Sequence, residues 1–179
     1  GYCYSTYVSQ GGAYKTTNAG ASWFKFIIPN TNEELHSISF VNENTGWLSI
    51  EHSPNLVYKT TNGGGVWNTY NIGKSFNKPF FLNENTGWIV DDSVYKTTNG
   101  GINYFGAGIV PDLIYDYGFF NENSGWAIFY GQMHLTSNSG AAWNLVSNAT
   151  ANSQLVTAKF WNSSTGIAMG EHGFITKTT

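Results

Sequence analysis

The stretch "VYKTTNGGGVW", residues 57 to 67, decides the fold because it recurs. "AYKTTNAGASW" at 13 to 23, "VYKTTNGGINY" at 94 to 104 and "HLTSNSGAAW" at 134 to 143 repeat it, and "FITKTT" at 174 to 179 begins a further copy. The Asn of the corner falls at Asn18, Asn62, Asn99 and Asn138, a glycine follows at Gly20, Gly64, Gly101 and Gly140, and an aromatic follows at Trp23, Trp67, Tyr104 and Trp143. A polar corner with this spacing is a turn device. An Asn side chain accepts from backbone N–H groups one or two residues on, the glycine suits a positive φ, and the aromatic folds back over the turn.

A second phrase lies between the copies: "FVNENTGW" at 40 to 47, "FLNENTGW" at 81 to 88, "FFNENSGW" at 119 to 126 and "FWNSSTGI" at 160 to 167. Its glycines, Gly46, Gly87, Gly125 and Gly166, together with Gly1 in the same register, are spaced by 45, 41, 38 and 41 residues. The turn reads as short polar side chains with a glycine for the bend, and Glu43, Glu84 and Glu122 read as solvated turn positions. "LHSISF" at 35 to 40 and "GWLSI" at 46 to 50 alternate with the period of strands. No segment carries a capped helical stripe, so the chain is expected to be all-β.

One unit then predicts four strands: the first ends on the repeated Phe, the second starts at Gly-Trp, the third is "VYKTT" and the fourth starts near the corner aromatic. Four strands per period near 40 match the blade of a β-propeller. The units run approximately 1–32, 33–74, 75–109, 110–150 and 151–179, five in a single propeller domain or segment, with the first and last incomplete.

The corner "S/T-x-N-x-G-x-x-W" resembles the Asp-box of bacterial neuraminidase-type repeats, with Asn in place of the usual Asp. The full unit most resembles the propeller repeats of the photosystem II assembly factor-like family, a group that includes many secreted bacterial proteins. The resemblance spans the whole chain and implies a ring of about seven blades. A segment of a longer propeller is therefore expected, with a five-bladed ring as the alternative. It implies no single activity, because such propellers carry hydrolases, receptors and non-catalytic binding modules alike.

Composition narrows the function. The 179 residues carry a net charge of −3, only 11% are charged and none is arginine. That argues against a nucleic-acid partner, which requires a basic surface, and against a sialidase site, which requires an arginine fork for the substrate carboxylate. No apolar run is long enough to insert in a membrane as a helix. The single Cys3 cannot form an internal disulfide. Few charges with abundant Asn, Thr, Ser, Gly and aromatics suit a secreted or cell-surface β protein.

Candidate chemistry is sparse. No phosphate loop, nucleophile elbow or metal-ligand spacing occurs, so no cofactor or metal is expected. A glycosidase needs two carboxyls roughly 5 to 9.5 Å apart. Asp112 and Asp116 share a strand face at roughly 13 Å, too far for such a pair. Glu33, Glu34 and the neighbours Asp91 and Asp92 offer no better arrangement. Glu51-His52 and Glu171-His172 each start five residues after the repeated glycine, and Asp92 and Tyr130 share that register. These six residues are the candidate ligand-facing hairpin tips. The unrepeated aromatics Tyr70, Tyr115, Tyr117, Phe129 and Tyr130 are candidates for a contact surface.

The expectation is a non-catalytic extracellular or cell-surface module that binds or scaffolds a protein or glycan. Two alternatives remain open: a structural or filament-forming surface protein that self-associates through unpaired blade edges, and part of a glycoside hydrolase whose carboxyls come from different blades.

Overall fold

The computed structural model describes residues 2–5, 12–26, 28, 35–50, 55–73, 78–111, 113–147 and 154–178. The chain is an all-β propeller fold of successive antiparallel sheets. β1 (Tyr2–Ser5), β2 (Gly12–Lys15) and β3 (Phe24–Phe26) form the first sheet, and β4 (Leu35–Phe40), β5 (Gly46–Ile50), β6 (Leu56–Thr60) and β7 (Asn68–Asn71) the second. β8 (Pro79–Phe81), β9 (Gly87–Val90), β10 (Ser93–Thr97) and β11 (Phe105–Ile109) form the third, and β12 (Ile114–Phe119), β13 (Gly125–Phe129), β14 (Gln132–Thr136) and β15 (Asn144–Ser147) the fourth. β16 (Leu155–Phe160), β17 (Gly166–Gly170) and β18 (Ile175–Thr178) form the fifth, with a short 3-10 turn at Glu171–Gly173.

The chain divides into two compact units, residues 1–89 with 97–104, and residues 90–96 with 105–179. In the first, Ala13, Leu35, Leu48, Ile50, Tyr58 and Trp67 are core. In the second, Trp126, Ile128, Met133, Leu155, Ala158 and Ala168 are core.

The second strand of each complete sheet, β5, β9 and β13, is buried along its whole length. The alternation expected of "GWLSI" is therefore not an inside-outside pattern: both sets of side chains of this strand leave water. The fourth strand is the wet one; β7 and β11 are largely exposed.

The repeated glycine of "N-x-N-[ST]-G" serves packing rather than the bend expected of it. The ring of Phe40 lies flat over Gly46, where a Cβ would come within 2.5 Å of it. Phe81 covers Gly87 and Phe160 covers Gly166 in the same way, at 2.5 and 2.6 Å. The bend itself comes from Asn42, whose Oδ1 accepts from the N–H groups of Asn44 (2.9 Å) and Thr45 (2.7 Å). Asn83, Asn121 and Asn162 repeat the arrangement.

Candidate functional site

The corner is built by a pair of side chains. Thr60 is fully buried; its hydroxyl donates to Asn62 Oδ1 (3.0 Å) and accepts from the N–H of Gly64 (3.0 Å). Asn62 Oδ1 in turn accepts from the N–H of Val66, four residues on, at 2.8 Å. The expected Asn bond to an N–H one or two residues on is thus replaced. Gly63 and Gly64 have φ of 67° and 94°, and two successive left-handed residues turn the chain back so that a later N–H meets the side chain. Thr16 with Asn18, Thr97 with Asn99 and Thr136 with Asn138 repeat the bond set. Gly20, Gly101 and Gly140 take the same positive φ as Gly64.

The aromatics follow with unequal burial. Trp67 is 8% exposed, Tyr104 and Trp143 are half-buried, and Trp23 is 44% exposed, so in the first sheet the ring covers its glycine but fills no core. The Trp143 indole N–H and the Tyr104 hydroxyl are enclosed without a hydrogen-bond partner among the described residues.

Two of the corner lysines reach into the turn of the next sheet. Lys15 Nζ donates to the carbonyl of Glu43 (3.3 Å), and Lys96 Nζ to the carbonyl of Glu122 (3.1 Å) and to Ser139 Oγ (3.3 Å). Lys59 Nζ lies 5.2 Å over the Trp47 ring. Burial holds its pKa below the ordinary value, and the Glu84 carboxylate pushes in the opposite direction. Glu84 is not merely solvated, since its Oε1 accepts from Asn42 Nδ2 (2.7 Å) and Thr45 Oγ1 (3.3 Å) of the preceding turn. The repeated polar residues are thus engaged in holding sheet to sheet.

The candidate hairpin tips fare differently. Glu51 and His52 lie outside the described residues, as do Asp112, Glu33 and Glu34. Asp92 is exposed beside Asp91, whose N–H donates to the Ser93 carbonyl (3.2 Å). Tyr130 is 59% exposed at φ +46°, and Glu171 and His172 are exposed in the 3-10 turn, with His172 at φ +55°. Residues with a Cβ disfavour that region of φ, and local bonds hold these two there. The Tyr130 N–H donates to the Leu113 carbonyl (2.9 Å), and the Phe174 N–H donates to the Glu171 carbonyl (3.1 Å).

One residue outside both repeated phrases joins these tips. The N–H of Leu155 donates to the Gly131 carbonyl (3.0 Å), while the carbonyl of the preceding Gln154 accepts from the N–H of Glu171 (2.9 Å). Exposed Gln154 is thus wedged between Tyr130-Gly131 and Glu171-His172, with exposed Leu113 alongside. Sequence reasoning missed Gln154 and Leu113. Their only signal is negative, in that neither belongs to a repeat.

The contact-surface candidates divide. Tyr130 and Tyr115 are exposed and Tyr70 is half-buried, but Tyr117 and Phe129 are 3% and 1% exposed and belong to the core. Asp116 is also interior: its Oδ2 accepts from Thr157 Oγ1 (2.7 Å) and the Ala158 N–H (3.1 Å), tying β12 to β16. A carboxylate engaged in this way braces two sheets. A cleft of about 480 Å³ opens between the fourth and fifth sheets, with Met133, Leu135, Val146, Phe160 and Phe174 in its walls. Among the described residues no three His, Cys, Asp or Glu side chains cluster to hold a metal, and no helix is long and apolar enough to cross a membrane.

No protein-family model and no curated protein matches this chain. Solved structures do. YCF48 from Cyanidioschyzon merolae is similar over 94% of this chain and 77% of its own, at 15% identity and a TM-score of 0.55. Virginiamycin B lyase from Staphylococcus aureus is similar over 93% of this chain and 66% of its own, at 14% identity and a TM-score of 0.59. The GH74 xyloglucanase from Xanthomonas campestris is similar over 94% of this chain but 27% of its own, at 12% identity and a TM-score of 0.63. At such identities the likeness is one of fold, and these β-propeller structures include enzymes.

Proposed function

We propose that this chain is a propeller module of Asp-box type from a secreted bacterial protein, non-catalytic, that binds a protein or glycan outside the cell or at its surface. The observation that supports the reading is the hairpin end carrying Tyr130, Gln154, Glu171 and His172. It offers an exposed aromatic ring on a backbone fixed at positive φ, beside an amide, a carboxylate and an imidazole. An aromatic platform with a few convergent polar groups suits a ligand that presents both apolar and hydrogen-bonding faces. The repeated residues are unsuited to that role because their polar groups hold the corners and turns. Engagement of Asp116 by Thr157 and Ala158 also weighs against its acting in a hydrolytic carboxyl pair.

The test is a screen of immobilised oligosaccharides and peptides, with calorimetry on the hits. Tyr130→Ala and Gln154→Ala are expected to weaken any hit about tenfold or more, as truncation of an interface hot spot does, with unchanged thermal unfolding. A screen without hits, or hits indifferent to both variants, rejects the site. Cleavage of a bound oligosaccharide rejects the non-catalytic reading.

A further inference from the structure

We propose that the two Asn-Gly corners, Asn62-Gly63 and Asn99-Gly100, are modification sites that the fold keeps silent: opening of a corner converts its Asn, without any enzyme, to aspartate or isoaspartate. These are the two Asn-Gly dipeptides of the chain. The chemistry is favoured by such a pair, because a glycine has no side chain to hinder attack by its own nitrogen. That nitrogen gives its proton to solvent base and bonds to the Asn Cγ, the Cγ–Nδ2 bond breaks, and ammonia leaves a cyclic imide behind. Water then opens the ring. Addition at Cγ restores the ordinary peptide with an aspartate side chain, and addition at the Asn backbone carbonyl carbon leaves the main chain running through the side chain, as isoaspartate.

Packing accounts for the glycine of the labile pair. The lysine of the preceding sheet and the turn of its own sheet both lie on it: a Cβ on Gly63 would come within 2.6 Å of Lys15 Nζ and 2.9 Å of the Glu43 carbonyl oxygen. Gly100 has the same relation to Lys59 Nζ and, at 2.6 Å, to the Glu84 carbonyl oxygen. In the fourth sheet Ser139 stands at this position and shares the Glu122 carbonyl with Lys96 instead.

The same packing blocks the reaction. The Gly63 N–H donates to the Asn44 carbonyl and the Gly100 N–H to the Asn85 carbonyl, each at 2.8 Å, so the attacking nitrogen is committed to a neighbouring turn. Asn62 Oδ1 is fixed by the Thr60 hydroxyl (3.0 Å) and the Val66 N–H (2.8 Å), and Asn99 Oδ1 by the Thr97 hydroxyl and the Asn103 N–H, each at 3.0 Å. Ring closure requires these bonds to break, so in the folded chain its rate follows the population with that corner open. The two products then differ. Aspartate at position 62 accepts the same two bonds, now charge-assisted, and lets the corner close. Isoaspartate lengthens the main chain by one methylene between Thr61 and Gly63 and puts the corner bonds out of register.

The experiment holds the whole chain in mildly alkaline buffer, folded and in urea, and follows each corner by peptide mapping with mass spectrometry. In urea, Asn62 and Asn99 are expected to convert ahead of Asn18 and Asn138, which precede Ala19 and Ser139. In the folded chain their conversion is expected to be about tenfold slower or more. Thr60→Val is expected to speed Asn62 and leave Asn99 as it was, with Thr60→Ser restoring protection. The chain carrying both Asn62→Asp and Asn99→Asp is expected to unfold at the wild-type temperature or above. Conversion as fast in the folded chain as in urea, or faster, overturns the proposal, and this comparison needs no variant to fold. Equal acceleration of both sites in a natively folded Thr60→Val chain also overturns it, and an Asp-bearing chain that unfolds well below wild type overturns the claim that aspartate closes the corner.

Discussion

Lys96 donates from Nζ to the backbone carbonyl of Glu122 at 3.1 Å, so the lysine of one corner completes the turn of the following sheet. The same ammonium also reaches Ser139 Oγ, and Ser139 Oγ itself donates to the Glu122 carbonyl, so two donors from different segments meet at one carbonyl oxygen. Lys96→Met keeps the stem and removes the donors. It is expected to lower unfolding free energy by about 1.5 kcal/mol in urea titration, the low end of the range for a hydrogen bond to a charged group, because this contact is exposed. No change in midpoint would show that the contact is decorative.

Thr60 is the buried hub of its corner, with Asn62 and Gly64 both dependent on its hydroxyl. Thr60→Val preserves shape and leaves the Gly64 N–H without an acceptor, which costs about 2 to 3 kcal/mol for a buried donor. Thr60→Ser is expected to recover most of that. Equal loss in both variants, read by thermal unfolding, would assign the effect to the missing methyl instead.

Asp116 offers a sharper test of bracing between sheets. Asp116→Ala leaves the Thr157 hydroxyl and Ala158 N–H without this acceptor and is expected to cost about 2 to 3 kcal/mol, with Asp116→Asn milder. Amide exchange at Ala158 should accelerate with the loss of stability. Unchanged protection there would contradict the bracing role.

Burial pushes the Tyr104 hydroxyl far above its ordinary 10.0, and Tyr58 moves in the same direction. Above pH 10 the unfolded chain releases these protons while the folded chain keeps them, so this contribution is complete below pH 10 and is lost as pH rises further. Lys59, shifted downward, acts oppositely just below 10.5, where rising pH removes the cost of its buried charge. Net alkaline unfolding above pH 10 is therefore expected, and Tyr104→Phe should flatten that limb. At pH 7 the same substitution removes an unpartnered hydroxyl and is expected to be neutral or slightly stabilising. A loss above about 1 kcal/mol at pH 7 would mean that the hydroxyl has a partner.

Local chemistry in the sequence determined the strands, the polar corner with its positive-φ glycine, and the propeller class, because turns and strand periodicity are written within spans of a few residues. Tertiary structure decided the rest. The corner lysines serve the next turn, Phe40 needs Gly46 beneath its ring, and Tyr117 and Phe129 are core although nothing in their local pattern distinguishes them from exposed Tyr130. Tyr130 and Glu171 meet through Gln154, a residue with no repeat partner to draw attention to it. These relations join residues up to one repeat length apart. They arise from contacts between turns and neighbouring strands, and no periodicity within a single strand encodes them.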